Sequence, residues 1–132
     1  MSDRVPALLV MHADLAAALV RAAESVYGPI DDLATLSNVG HSRESLEDAI
    51  EERVTMWNHG GLVLTDFWGG SCHTCGVRAA RGRGEVIVVT GVNLPTLIDF
   101  LHHRDHMDVL ALADRLRLKG QESIRVQRGQ VA

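Results

Sequence analysis

Two short apolar runs that end on reactive side chains restrict this chain to few architectures. Residues 7–11 (Ala-Leu-Leu-Val-Met) lead into His12, and residues 61–65 (Gly-Leu-Val-Leu-Thr) lead into Asp66-Phe67-Trp68-Gly69-Gly70-Ser71. Runs this short, without polar alternation, suit strands covered on both faces, as in a parallel sheet between helix layers. In open α/β sheets, ligands and chemistry collect at the carboxyl ends of the strands. If these two strands are neighbours, His12 and Asp66 face each other there, beside a Gly-Gly-Ser turn suited to an anion.

The rest of the chain alternates in the same way. Leu15, Ala18, Leu19, Ala22 and Val26 predict one face of a helix that Gly28-Pro29 ends. A short strand follows near Leu33 to Leu36, then a polar turn over residues 37–41. Ser42 is placed to cap a helix whose inward stripe is Leu46, Ala49, Ile50 and Val54. After the 66–71 turn, a helix is expected over residues 72–80 and a β-branched strand over residues 85–90. Asn93 and Pro95 open another helix. Asp108 caps the last one, with Val109, Leu112, Ala113 and Leu116 inward and Gly120 as its stop. Residues 123–127 alternate like an edge strand, to be paired antiparallel at the sheet edge or donated to a partner subunit. This order predicts one doubly wound α/β domain over residues 1–132, with a mainly parallel sheet and helices on both faces.

Composition removes several function classes. A formal charge of -4 gives no electrostatic case for nucleic acid or an anionic membrane. No apolar stretch approaches the ~18 residues of a membrane span. The first residues lack a signal-peptide pattern, and two cysteines in C-x-x-C spacing suit a reduced compartment, so the expected location is the cytoplasm.

The residues at the strand ends suit phosphoryl transfer. Neutral imidazole is a competent nucleophile toward phosphorus near neutral pH when one nitrogen is free and the other is held as a donor. Asp66 is placed to hold that donor and to stabilise the charge that develops on the ring. Gly69, Gly70 and Ser71, entering a helix, offer backbone N–H groups and a hydroxyl to the phosphoryl oxygens. Asn93, at the end of the fourth strand, is placed to border the same pocket.

Three segments carry a resemblance: Val-Met-His12-Ala13-Asp14-Leu15-Ala16, Leu64-Thr65-Asp66-Phe67-Trp68-Gly69-Gly70-Ser71 and Thr90-Gly91-Val92-Asn93-Leu94-Pro95. In order and spacing they resemble the landmark segments of the mannose-family enzyme IIA domains of the bacterial phosphoenolpyruvate-dependent sugar phosphotransferase system. The resemblance spans Val5 to about Val126. It implies four parallel strands plus an antiparallel edge strand, exchanged in a homodimer. It also implies that His12 accepts a phosphoryl group from the carrier protein HPr and passes it to a histidine of an enzyme IIB. Asp66 would then be the partner carboxylate, with Gly70 and Ser71 on the phosphate. No metal or nucleotide cofactor is implied, because donor and acceptor are both protein histidines. With no IIB segment in the chain, the IIB would be a separate polypeptide, and the sugar would be chosen by the membrane components. The alternative reading is a regulatory module whose phosphorylation at His12 switches a partner protein.

Ala13 stands where the family usually has Gly, Phe67 where it commonly has Thr, and Cys72 where it commonly has Pro. The Ala13 methyl narrows the backbone conformations available beside the nucleophile. Trp68 is either a partner-facing anchor or a cover over the Gly-Gly turn. Cys72-His73-Thr74-Cys75 is not explained by the family. A C-x-x-C at a helix start suits a thiol sensor, or, with His102 and His106 one helical turn apart, a metal sensor. The bland alternative is a pair of small buried thiols packed on the sheet.

Overall fold

The computed structural model describes residues 4–130. In chain order the elements are β1 (Ala7–Met11), α1 (Leu15–Tyr27), β2 (Leu33–Ser37), α2 (Arg43–Val54), β3 (Gly61–Thr65), α3 (Ser71–Ala80), β4 (Val86–Thr90), α4 (Leu94–His103) and α5 (Val109–Ser123). The four strands form one sheet in the order β2-β1-β3-β4, and every pairing is parallel.

The apolar runs of β1 and β3 are explained by their central position: all five residues of each are buried. Alternate side chains face opposite layers. Leu9, Met11, Leu62 and Leu64 pack with α1, α4 and α5, around Phe100, Leu101 and Leu112. Leu8, Val10 and Val63 pack on the other face with α2 and α3, against Leu46, Ile50, Cys72 and Cys75. The edge strands β2 and β4 are only half-buried.

Connectivity places the site. From β1 the chain moves to β2 on one side, then crosses back to β3 on the other. The point of reversal therefore lies between the carboxyl ends of β1 and β3, where such sheets open a crevice. Val10 pairs with Thr65, which sets His12 and Asp66 just beyond the paired residues of two adjacent strands. The caps agree with the sequence: Ser42, Asn93 and Asp108 each accept a hydrogen bond from a first-turn N–H.

Three expectations require correction. Among the described residues there is no antiparallel edge strand; residues 124–130 carry no regular structure, and Ile124 and Val126 are exposed. Gly120 does not stop α5, which runs on to Ser123. The last turn is held by Ser123, whose hydroxyl donates to Gly120 C=O and accepts from Asn93 Nδ2 at 2.9 Å. These bonds draw the start of the expected strand into the helix. Finally, α1 is rotated from its expected face: Ala16, Leu19, Val20 and Ala23 point inward, while Leu15 and Val26 are exposed. Small alanines on the inner face let α1 lie close to the sheet, and periodicity alone does not separate these two overlapping stripes.

Candidate functional site

His12 and Asp66 meet at the reversal point. Asp66 Oδ2 accepts from the backbone N–H of His12 at 3.0 Å and lies 2.8 Å from its Nδ1. One carboxylate oxygen thus holds both the main chain and the ring of the residue that follows β1. A carboxylate only accepts, so the neutral ring carries its proton on Nδ1 and a lone pair on Nε2. The Asp66 side chain is 9% exposed and that of His12 33%, so the carboxylate is shielded while the ring reaches solvent.

Nε2 faces the start of α3, with Ser71 Oγ 3.4 Å away. Gly70 is the N-cap of this helix and has no side chain to satisfy the first-turn N–H groups. These groups and the positive end of the helix dipole suit an oxyanion beside the ring. A Cβ on Gly70 would meet the Phe67 ring at 2.7 Å and His12 Cε1 at 3.1 Å, so glycine lets the turn close over the imidazole without displacing Phe67. Gly69 takes φ +83°, and its N–H donates to His73 Nδ1 at 3.0 Å. Its donor is therefore engaged within the turn, leaving Gly70, Ser71 and the first turn of α3 beside His12.

Two exposed aromatic side chains follow Asp66 in the turn. Phe67 stacks on His12 with centroids 4.9 Å apart and planes at 26°. Trp68 is 78% exposed and lies over His73 at 4.5 Å, so it covers His73 rather than the Gly-Gly turn. Ala13 follows the histidine with φ +53°, in the left-handed region. Two groups at the carboxyl end of β2 hold it there: Asn38 Oδ1 accepts from its N–H at 2.9 Å, and the Ser37 hydroxyl donates to its C=O. Sequence reasoning missed both roles, since the 37–41 segment read only as a turn and the contacts span 24 and 25 positions.

Asn93 is placed elsewhere. Its Oδ1 accepts from Thr96 N–H, its Nδ2 donates to Ser123, and it lines a groove between β4 and α5. The histidines of the 102–106 segment are not gathered with the cysteines. His102 Nδ1 lies 3.0 Å from Ile98 C=O and His103 Nδ1 lies 2.8 Å from Asp99 C=O, each one turn back on α4. Both cysteines are free and buried. Burial, then the nearby Asp66 charge, pushes the Cys72 thiol up to about 11, and burial raises Cys75 as well. Neither is the low-pKa, accessible thiolate that redox sensing requires.

The chain is similar to known proteins over most of its length. Residues 7–117 match the EIIA-man family, described as "PTS system fructose IIA component". The "PTS system fructose-specific EIIA component" of Bacillus subtilis (strain 168) is 26% identical over 126 residues, covering 87% of this chain and 81% of that protein. Among solved structures, the phosphotransferase system component EIIA from Streptococcus agalactiae superposes with a TM-score of 0.86 at 21% identity, covering 92% of this chain and 96% of that one. The mannose/sorbose-specific IIA subunit from Enterococcus faecalis gives 0.84 at 18% identity, covering 98% and 99%. At these identities the structural likenesses speak for the fold.

Proposed function

This chain belongs to the EIIA-man family of phosphotransferase-system components, and from that premise we propose that His12 is its phosphoryl-carrying residue. The protein is a phosphocarrier component of the sugar phosphotransferase system. The observation that carries the assignment of His12 is its contact with Asp66, which commits Nδ1 and leaves Nε2 facing Ser71 and the open start of α3.

In the loading step, Nε2 attacks the phosphorus of a phosphohistidine on HPr. The new N–P bond forms as the bond to the HPr histidine breaks, and that ring recovers its lone pair. Positive charge grows on the His12 ring and is stabilised through Nδ1–H by Asp66. The transferred group carries its charge on peripheral oxygens, so catalysis consists of position and donors, which Gly70, Ser71 and the α3 start supply. Unloading reverses these events toward a histidine of an enzyme IIB. Exposed Phe67 lies on the ring, and exposed Trp68 follows it in the same turn over His73; aromatic side chains there suit anchors for the docking partners.

We also propose a homodimer. Among the described residues no strand pairs with the outer edge of β4, and beside it runs a groove of about 600 Å³ lined by Val89, Val92, Leu110, Leu116 and Ile124. The exposed tail from Ile124, which alternates through Gln127, is suited to fill this groove and pair antiparallel with β4 of a second copy. Light scattering on the chain and on a form lacking residues 124–132 tests this; two equal masses would contradict it.

The carrier assignment is tested by incubation with phosphoenolpyruvate, enzyme I and HPr, followed by intact mass. The expected result is one acid-labile phosphoryl group that is absent in His12→Ala and chased onto a purified IIB. Phosphorylation that persists in His12→Ala would overturn the assignment. Loading without transfer to any IIB would favour the regulatory reading.

A further inference from the structure

Cys72 has no part in the transfer chemistry, yet it lies against the two residues that do. It is also where this sequence departs from the proline common in its family. Among the described residues, His12, Asp66 and Cys72 form the one group of three metal-ligating side chains, with ligand atoms all within 4.8 Å of one another. Two of the three are already tied together: His12 Nδ1 lies 2.8 Å from Asp66 Oδ2. The other carboxylate oxygen, Asp66 Oδ1, is buried and has no hydrogen-bond partner in the protein. A buried anionic oxygen left unpaired is costly, and a cation removes that cost.

We propose that His12, Asp66 and Cys72 form a regulatory site for a borderline-soft divalent cation of the zinc type, whose binding blocks phosphorylation of His12.

The donor set selects the cation. One nitrogen, one oxygen and one sulfur suit zinc, whereas magnesium and calcium take oxygen donors. Three protein ligands leave a fourth position for water, on the side open to solvent. In a tetrahedral zinc site, ligand atoms stand roughly 3.3–3.8 Å apart, so closing around the ion requires shifts of about 1 Å. Charge also balances: a thiolate and a carboxylate neutralise a divalent ion, and the imidazole stays neutral. Binding releases one proton, from the Cys72 thiol to solvent.

Inhibition follows from the ring's electron count. A neutral imidazole has one lone pair and one N–H. Whichever ring nitrogen binds the metal, the other keeps the proton, and no lone pair remains for phosphorus. Only this inhibitory consequence rests on His12 being the phosphoryl acceptor; binding is measured without it.

The test uses the chelator-treated protein and cobalt as a spectroscopic substitute for zinc. One equivalent of cobalt is expected to give visible bands of tetrahedral intensity and a near-ultraviolet thiolate-to-cobalt absorption. The thiolate absorption should vanish in both Cys72→Ala and Cys72→Ser and persist in Cys75→Ala, with thermal melts confirming that each variant is folded. One equivalent of zinc should displace the cobalt, and excess magnesium should not. Zinc should slow phosphorylation of the wild type at least ten-fold, reversibly with chelator, while Cys72→Ala is phosphorylated at a zinc-independent rate. No stoichiometric cobalt uptake by folded wild type, or thiolate absorption retained without Cys72, would overturn the proposal. Metal binding as expected, with no phosphorylation of the metal-free protein by an active HPr, would instead retain the metal site and remove the carrier assignment.

Discussion

A charged side chain is buried at each end of β1, and the two are treated differently. At the amino end, Arg104 is 2% exposed. It donates to Val5 C=O from Nε at 3.0 Å and Nη2 at 2.8 Å, to Asp31 C=O at 2.7 Å and to Asp32 C=O at 2.6 Å. The guanidinium thereby ties α4 to the backbone leading into β1 and β2, and lies 5.1 Å from the Phe100 ring. Burial holds its pKa down to about 10, still far above neutrality, so it remains charged. At the carboxyl end, Asp66 makes two contacts through one oxygen, both to His12, and leaves the other oxygen unpaired. The saturated group is a clamp, whose removal should act on stability. The unsaturated group is poised for a change of charge beside it, and its removal should act on chemistry.

Asp66→Asn tests the second half and carries the largest expected effect. The amide oxygen can still accept from His12, but a neutral amide cannot balance a developing imidazolium. We expect the rate of phosphorylation from HPr to fall roughly 10²–10⁴-fold, by analogy with loss of the carboxylate from other His–Asp pairs. The melting temperature should move little, because the replacement keeps an acceptor for His12 and removes a shielded charge. A variant that melts far below wild type yet is phosphorylated normally once folded would reverse the two roles.

Arg104→Met is the counterpart. It leaves three backbone carbonyls short of donors while keeping most of the apolar volume, and should cost about 2–4 kcal/mol. For a chain of this length that lowers the melting temperature by roughly 8–15 °C. The folded fraction should be phosphorylated at the wild-type rate. A loss of rate without a loss of stability would show that the clamp reaches the site.

Gly70→Ala sharpens the comparison within the site. The added methyl would press on Phe67 and on His12 Cε1. A roughly ten-fold slower phosphorylation is expected, about 1.4 kcal/mol of transition-state stabilisation. Phe67 is exposed and free to be trimmed, so Phe67→Ala in the same chain should recover most of the loss. Unchanged rates in Gly70→Ala would mean that the turn need not close over the ring.

The sequence revealed those parts of this arrangement that are local. The strand runs and the caps at Ser42, Asn93 and Asp108 follow from short patterns, and the structure contains them; the meeting of His12 and Asp66, 54 positions apart, is expected only if β1 and β3 are neighbours, which they are. Arg104 was not legible: it lies in a His- and Asp-rich connection that reads as solvated, and its partners are 72 to 99 positions away. The expected final strand is absent among the described residues for a related reason. Residues 123–127 alternate correctly, but alternation needs a neighbouring strand to pair with, and Ser123 finds Asn93 and Gly120 instead. The α1 face is ambiguous in sequence because two overlapping stripes, each with two alanines and sharing Leu19, run along the helix, and only packing on the sheet selects Ala16, Leu19, Val20 and Ala23.

Ala13→Gly carries the smallest expected effect and separates strain from positioning. Ala13 lies at φ +53°, where a Cβ costs about 1 kcal/mol relative to glycine. Glycine also gives the unfolded chain more freedom, which removes about 0.4–1 kcal/mol of that gain. The net change should lie between zero and roughly 0.5 kcal/mol of stabilisation, a rise in melting temperature of no more than about 2 °C. The backbone there is held from outside by Asn38 and Ser37, and the His12 N–H by Asp66. Relief of strain should therefore leave the ring in place and the phosphorylation rate unchanged. Asn38→Ala provides the contrast: it deprives the Ala13 N–H of its acceptor, and should slow phosphorylation while Ala13→Gly does not. If Ala13→Gly instead speeds transfer several-fold, the alanine is holding the nucleophile back, and the strain beside His12 belongs with the chemistry rather than with the clamp.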